Sequence, residues 1–124
     1  MKTVISTPDA PKAIGPYSQA IVVNGVLYAS GQIAIDPNTG TLSGNIESQT
    51  RQVMQNIGAI LKAANMSFSN VVKTTVFITN MSDFATVNSI YAEYFVTDAP
   101  ARSCVAVDSL PKGALIEIEI IAAS

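Results

Sequence analysis

Two stretches near the C-terminal end of the chain hold side chains that could carry out chemistry. Arg102 and Cys104 lie two residues apart in ARSCVAV, and Glu117 and Glu119 have the same spacing in LIEIEIIA. Side chains two residues apart in a strand point to the same face of a sheet. A guanidinium is always charged, and burying it requires an anionic partner. The spacing therefore predicts one strand face with a cation and a thiol, and another with two carboxylates.

Pairing of these two strands as a hairpin would bring the four side chains together. If Val107 lies opposite Ala114, Cys104 faces Glu117 and Arg102 faces Glu119. A one-residue slip would turn one strand over, so this register is an assumption. The pattern fits a cross-strand ion pair of small energetic value. It also fits a site in which Arg102 holds a ligand carboxylate.

The composition limits the chemistry that is open to the chain. It has 124 residues, no histidine and one cysteine. This excludes a Ser-His-Asp triad, a Cys-His pair and the usual zinc sites within one chain. No glycine loop matches a phosphate-binding or dinucleotide-binding spacing, so neither a metal nor a cofactor is indicated. Proton transfer near neutral pH would have to use Glu, Asp, Tyr, Lys or the single thiol, Cys104.

Charge and hydropathy suggest a small-molecule protein that self-associates. The net charge is −2 and the seven basic residues are scattered, so no nucleic-acid partner is expected. The apolar runs are far shorter than the ~20 residues of a membrane span. The N-terminal residues form no signal-like apolar stretch, which predicts a cytoplasmic protein. Only 13% of residues are charged and 48% are apolar, so part of the surface is expected to be a subunit interface.

The first half of the chain contains a predicted hairpin and a predicted helix. Residues 19–30 are two β-rich runs joined by Asn24-Gly25, a pair typical of a type I′ turn. A short extended piece, 32–36, leads into a loop rich in turn-forming residues. From Ile46 the apolar residues recur with helical period, which predicts an amphipathic helix ending near Asn65.

The second half alternates strands and helices. Residues 70–79 form a predicted strand, and Ser82 is a candidate N-cap for a second helix with an apolar stripe. Strands are expected at 102–107 and 114–122. The pattern predicts one α+β domain spanning 1–124, with a single mixed sheet and two helices packed on one face. The other face would be bare, which favours self-association through it.

Four separated motifs resemble the RidA family, also called the YjgF family, of enamine/imine deaminases. They are IGPYSQA at 14–20, ASGQI at 29–33, FATVNSIY at 84–91 and PARSCVAVDSLPKGALIEIEIIA at 100–122. The resemblance covers essentially the whole chain. It implies a chorismate-mutase-like α+β fold and a homotrimer with pockets between subunits.

The resemblance also implies an activity, the hydrolysis of 2-aminoacrylate and 2-aminocrotonate, in their imine forms, to 2-oxoacids and ammonia. By this resemblance Arg102 would hold the substrate carboxylate and Glu117 would position and activate the attacking water. The remaining family positions would line the pocket: Tyr17, Ser30, Gly31, Asn88 and Cys104. No cofactor is implied.

Each candidate residue also has a purely structural interpretation. Arg102 could be paired with Glu119, and Glu117 could be no more than a partner of Arg102. Cys104 could be a small apolar residue of the wall. Tyr17 could pack at an interface. Ser30 and Gly31 could simply end a strand, and Asn88 could join a helix to a strand by a hydrogen bond.

Two other functions compete with the deaminase. The same pocket could bind small ketoacids without turnover, as a regulatory module does. Ribonuclease or translation-inhibitor activity has also been attached to the family. The lack of histidine and the scattered basic residues count against that third function.

Overall fold

A computed structural model of the chain describes residues 1–42 and 44–124. These residues form one six-stranded sheet and two α-helices, which confirms the predicted α+β architecture. The strand order is β1-β2-β3-β6-β4-β5, and only the β4–β5 pair is parallel. In chain order the elements are β1 (Thr3–Ile5), β2 (Ala20–Val23), β3 (Val26–Gln32), α1 (Ile46–Ala63), β4 (Val71–Ile78), α2 (Phe84–Tyr94), β5 (Ala101–Ala106) and β6 (Ile116–Ala123).

The predicted hairpin is confirmed as β2 and β3. Val23 pairs with Val26, so the connection is the two-residue turn Asn24-Gly25. Both turn residues have positive φ angles, 51° and 77°. Asn and Gly tolerate these angles better than other residues, which is why the pair specifies this turn.

The first predicted helix is confirmed as α1. The Asn45 side chain caps its N-terminus by accepting a hydrogen bond from the Ser48 N–H at 3.0 Å. Its apolar stripe is buried in the main core, with Val53, Ile57 and Ile60 at most 1% exposed. The helix ends at Ala63, close to the predicted end, because the chain turns at residues 64 and 65.

The two faces of the central strands differ in burial. In β4, Val76 and Ile78 are fully buried together with Ile118 and Ile116, their partners in β6. The alternate residues point to the opposite face, where Tyr28 of β3 remains 48% exposed. This second face is uncovered in the single chain, as predicted.

Two local predictions are wrong. Ser82 does not cap α2. It lies in a short 3₁₀ turn, Met81–Asp83, and the N-cap position of α2 is Asp83. The extended piece at 32–36 is not a separate strand, because β3 continues to Gln32 and the chain then bends, with one isolated bridge from Ile35 to Leu42.

The predicted pairing of the last two strands is also wrong. β6 lies between β3 and β4, and β5 is an edge strand that pairs only with β4. Strand β4, helix α2 and strand β5 form a β-α-β unit, in which the helix carries the chain back so that the strands run parallel. Cys104 therefore lies beside Val76 rather than Glu117.

No helix among the described residues has both the length and the apolar character needed to cross a bilayer.

Candidate functional site

Arg102 lies on the edge strand β5, on the face covered by α2. Its Nη1 donates a hydrogen bond of 2.6 Å to Oδ1 of Asn88, in α2. The guanidinium carbon lies 4.9 Å from the ring centre of Tyr91 and 5.4 Å from that of Phe84. Cation–π contacts of this kind stabilise a charge without neutralising it. The guanidinium is therefore held in place by an amide and two aromatic rings.

Within residues 1–42 and 44–124, no carboxylate forms a salt bridge with Arg102. The ion pair found there joins Arg51 to Glu93 at the protein surface. Glu119 cannot be the partner of Arg102, since it points to the opposite face of the sheet and β4 lies between their strands. The structural interpretation of Arg102 as one half of a cross-strand ion pair is wrong.

Tyr91 supports Arg102 from the core side. Its hydroxyl forms a 2.7 Å hydrogen bond with the hydroxyl of Thr74, in β4, and both side chains are buried. Burial raises the pKa of the Tyr91 phenol, although the bond to Thr74 and the charge of Arg102 oppose this shift. The sequence did not indicate this bond.

A cleft of about 610 Å³ opens beside Arg102. We call it the Arg102 cleft; its wall comes from α2 and the segment before β5, and includes Asn88, Tyr91 and Pro100. Beyond the bond to Asn88, the guanidinium makes no further hydrogen bond to the described residues. It therefore keeps N–H groups available for an anion.

Cys104 follows Arg102 on the same face of β5 and is partly buried against the core. Burial raises the pKa of its thiol, and the charge of Arg102 only partly opposes this. A thiol with a raised pKa is protonated at neutral pH and is a poor nucleophile. This environment suits a residue that packs against the core rather than a nucleophile.

Glu117 projects from β6 on the uncovered face, opposite Phe77 of β4. Its side chain packs against Gly31, where the pairing of β3 with β6 shifts register between Ala29 and Gln32. A Cβ added to Gly31 would overlap the Glu117 carboxylate and lie 2.8 Å from its carboxyl carbon. A side chain at position 31 is incompatible with this position of the carboxylate.

The pKa of Glu117 is raised, first by burial and then by the charge of Glu119 two residues further along β6. Both effects disfavour the charged form of the carboxyl group. A carboxylate of this kind is a stronger base than an exposed one.

A cavity of about 500 Å³ lies in front of Glu117, and we call it the Glu117 cavity. Its wall is mostly apolar, with two lysines, Lys12 and Lys112, also lining it. The other lining residues include Tyr17, Ser30, Gly31, Ile14, Ile33 and Ile35. Tyr17 is 52% exposed. The Ser30 hydroxyl donates a 2.6 Å hydrogen bond to the Ser18 carbonyl, so its proton is already engaged.

The candidate residues form two groups on opposite faces of the sheet. Tyr17, Ser30, Gly31 and Glu117 line the Glu117 cavity, and the others lie on the face that carries the Arg102 cleft: Asn88, Arg102 and Cys104. β5 and β6 are separated by β4, so their backbones are about 10 Å apart in the sheet. The expectation that all four polar groups of β5 and β6 converge within one chain is wrong.

Buried amides support the Glu117 cavity, and the sequence analysis missed them. Asn56 of α1 donates hydrogen bonds to the carbonyls of Ile33 and Ile35, at 3.2 and 3.0 Å. Gln19, the residue immediately before β2, bonds to the segment after β1. The available signal at position 56 was its spacing, since Asn56 lies three residues after Val53 and four before Ile60, on the buried side of α1.

The described residues contain no cluster of three His, Cys, Asp or Glu side chains that could hold a metal ion. The site residues offer a guanidinium, which is suited to binding an anion, and a basic carboxylate, which is suited to accepting a proton from water.

The chain is similar in sequence and in fold to several known proteins. The family model described as Endoribonuclease L-PSP matches residues 7–124. A human protein named 2-iminobutanoate/2-iminopropanoate deaminase is 52% identical over 123 residues, which cover 98% of this chain and 90% of that protein. A Yersinia pestis crystal structure, described as a protein of unknown function of the conserved Rid protein family, has a TM-score of 0.98 and 59% identity over 100% of both chains. The structure of Escherichia coli TdcF with bound serine has a TM-score of 0.95 and 42% identity over 98% of both chains.

Proposed function

The chain belongs to the Rid family, also called the YjgF/RidA family, and we propose that it is a hydrolytic deaminase of reactive enamines and imines. Its substrates would be 2-aminoacrylate and 2-aminocrotonate, as 2-iminopropanoate and 2-iminobutanoate. The products would be pyruvate or 2-oxobutanoate and ammonia. The name of the human relative, half identical in sequence, supports this substrate class.

The observation that carries the proposal is the pair of complementary groups on opposite faces of the sheet. Arg102 is a guanidinium without a carboxylate partner among the described residues, and Glu117 is a carboxyl group with a raised pKa. One would bind an anionic substrate and the other would activate water. Neither half is sufficient alone, so a second copy of the chain must complete the site.

The assembly that we propose is a homotrimer with three equivalent pockets between subunits. In each pocket the Arg102 cleft of one chain would meet the Glu117 cavity of the next. A heterologous contact of this kind closes into a ring when its rotation allows. The uncovered sheet face, where Tyr28 is half exposed, supports contact between copies.

Arg102 would grip the substrate carboxylate with two parallel hydrogen bonds. A planar guanidinium matches a carboxylate in this geometry. The two bonds neutralise the carboxylate charge and fix the position of C2, the substrate carbon that water attacks. The bond from Nη1 to Asn88 and the rings of Tyr91 and Phe84 hold the guanidinium before the substrate arrives. This preorganisation lowers the entropy lost on binding.

Glu117 would accept a proton from a water molecule as that water attacks C2 of the protonated imine. A new C–O bond forms while the C=N π electrons move to nitrogen, which gives a tetrahedral amino alcohol. Glu117 then returns the proton to the amine and the C–N bond breaks as the hydroxyl gives up its own proton to Glu117 and forms the C=O bond. Glu117 passes this second proton to the departing ammonia, so the products are the 2-oxoacid and ammonium. One water molecule is consumed, and no electron is transferred. An iminium is a good electrophile, so a carboxylate suffices without histidine.

The remaining candidate residues would shape the pocket. Gly31 leaves the space that the Glu117 carboxylate occupies. Ser30 and Tyr17 would form the wall of the Glu117 cavity, and Cys104 would be a wall residue on the Arg102 side. Asn88 would act mainly through Arg102.

A coupled assay tests the proposal. Threonine dehydratase generates 2-aminocrotonate, and release of 2-oxobutanoate is followed with and without the protein. We expect acceleration by the wild-type chain and no acceleration by Arg102→Ala or Glu117→Gln. Arg51→Ala is the matched control, since it removes the exposed ion pair with Glu93 and should keep full activity. No acceleration by the wild-type chain would reject the deaminase. Binding of 2-oxobutanoate without turnover would favour a regulatory module.

Mixing two inactive variants tests the shared pocket. After Arg102→Ala and Glu117→Gln chains are unfolded and refolded together in equal amounts, about a quarter of the pockets in a random ring would hold both intact groups. Activity should therefore return in the mixture, whereas each variant alone stays inactive. A mixture that stays inactive while forming mixed rings would place the two groups in different sites.

A further inference from the structure

One wall of the Glu117 cavity comes from a segment without regular secondary structure. Residues 6–19 connect β1 to β2. Lys12, Ile14 and Tyr17 from this segment line the cavity. A segment of this kind has no helix or sheet hydrogen bonds to hold it, so side chains must satisfy its backbone. The position of the wall depends on those side chains.

Gln19 supplies most of these bonds. Its Nε2 donates to the carbonyls of Thr7, Ala10 and Pro11 at 3.0, 3.3 and 2.8 Å. Its Oε1 accepts from the Thr7 N–H at 2.7 Å. The Gln19 side chain is thus bonded to three residues of the segment, and the residue is only 4% exposed. No other residue described in the cavity wall makes so many contacts with the segment's backbone.

A second anchor fixes the far end of the segment. The Ser30 hydroxyl donates to the Ser18 carbonyl, and the Ser30 N–H donates to the Gln19 carbonyl at 2.9 Å. Residues 12–17 therefore lie between a fixed Pro11 and a fixed Ser18, and we call them the 12–17 lobe. Compact loops whose ends are held together in this way are frequently functional.

We propose that Gln19 is a positioning residue for the deamination reaction. It holds the 12–17 lobe closed, and the lobe in turn places Tyr17 and Ile14 as the outer wall against which substrate binds. Gln19 is among the residues that line the cavity, but its Nε2 is bonded to main-chain carbonyls, so the role assigned to it is to hold the lobe rather than to bind substrate. This inference rests on the proposed function, since it assigns the Glu117 cavity to the substrate.

Loss of the Gln19 amide should weaken substrate binding more than the chemical step. Gln19→Met keeps the length of the side chain but leaves the main-chain groups of Thr7, Ala10 and Pro11 without partners. Buried groups of this kind are satisfied most easily by water, which requires the segment to open. When only a fraction of molecules has the closed lobe, apparent affinity falls by that fraction. Glu117 lies on β6 and stays in place once substrate has closed the lobe.

The experiment compares three variants with the wild-type chain in the coupled assay. For Gln19→Met we expect KM to rise about tenfold or more while kcat stays within about threefold. Gln19→Glu keeps the acceptor and loses the three donor bonds, so it should change KM in the same direction. Asn70→Ala is the control, because Asn70 also joins two segments through its amide, bonding to Ser67 and Ala123 away from both cavities. It should leave KM unchanged.

Hydrogen exchange measures how firmly Gln19 holds the segment between β1 and β2, without relying on turnover. Amides of residues 7–17 should exchange faster in Gln19→Met, while those of β4 and β6 keep wild-type protection. Unchanged exchange in 7–17 would overturn the proposal, as would a fall in kcat with KM unchanged. If the wild-type chain shows no turnover, the proposed deaminase fails. The Kd for 2-oxobutanoate then replaces KM, and an equal Kd in wild type and Gln19→Met overturns the role of Gln19.

Discussion

Gly31→Ala should disable the proposed base while leaving the fold intact. The added Cβ would lie 2.8 Å from the carboxyl carbon of Glu117 and would overlap the nearer oxygen. A relaxed carbon–carbon contact needs about 3.5 Å, so the carboxyl carbon must move by about 0.7 Å and the oxygen by more. The side chain borders an open cavity, so it can move without disturbing the core.

The size of the effect follows from the sensitivity of catalysis to geometry. A misplacement of about 1 Å can reduce a rate about 100-fold, which corresponds to about 2.7 kcal/mol of activation free energy. We therefore expect kcat of Gly31→Ala to fall by about two orders of magnitude. Its melting temperature should stay within about 5 °C of wild type, since an alanine also suits a strand better than glycine.

The assay is the coupled release of 2-oxobutanoate, with thermal unfolding in parallel. Gly58→Ala is the matched control, because its Cβ would contact only the Phe68 ring, at 3.2 Å, away from both cavities. The double variant Gly31→Ala/Glu117→Gln should be no slower than Glu117→Gln alone, since both act on one group. A wild-type kcat for Gly31→Ala, or losses that simply add in the double variant, would refute the reasoning.

Three further predictions follow from the surroundings of the candidate groups. Because burial and Glu119 raise the pKa of Glu117, activity should fall on acidification at a higher pH than it would for an exposed glutamate. Glu119→Gln removes one of these causes and should move the acidic limb of the pH–rate profile to lower pH. An acidic limb that does not move would contradict a charge effect of Glu119. Cys104→Ala should keep kcat/KM within about threefold, since its thiol pKa is raised; complete inactivation would indicate a nucleophile. Tyr91→Phe leaves the buried Thr74 hydroxyl without its partner, so urea unfolding should show a loss of about 1–3 kcal/mol. Equal stability would mean that another group satisfies Thr74.

The sequence predicts those parts of the fold that depend on local residues. The Asn24-Gly25 turn is local, because only a few residues accept its φ angles. The helical period from Ile46 is local as well, and both elements are confirmed. Side-chain alternation correctly placed Arg102 with Cys104, and Glu117 with Glu119.

Strand pairing could not be obtained in the same way. β5 and β6 are consecutive, and consecutive strands often pair, which favoured a hairpin. The competing signal was the strand-helix-strand order of β4, α2 and β5, which is typical of parallel neighbours. β6 then enters between β3 and β4, because its apolar residues on one face, such as Ile118, complete the core under α1. The position of β6 depends on tertiary packing, which no local sequence pattern indicates.

The pairing error changed the picture of the candidate site. The alternation of side chains along each strand was predicted correctly. The arrangement of the strands in the sheet, however, decides which side chains of β5 and β6 lie on the same face. With β4 between them, Arg102 and Glu117 point away from each other. The supporting amides were missed for a related reason, since Gln19 bonds backbone groups up to twelve residues away and its partners have no side-chain signature.

The separation of Arg102 and Glu117 has a consequence for how activity depends on concentration. If each working pocket is completed by a second copy, a lone chain fresh from synthesis holds no complete pocket and is inert, however well it is folded. Turnover per chain would then rise with protein concentration until the rings are full. Newly made protein would acquire its activity at the moment of assembly, and dilution alone would switch it off.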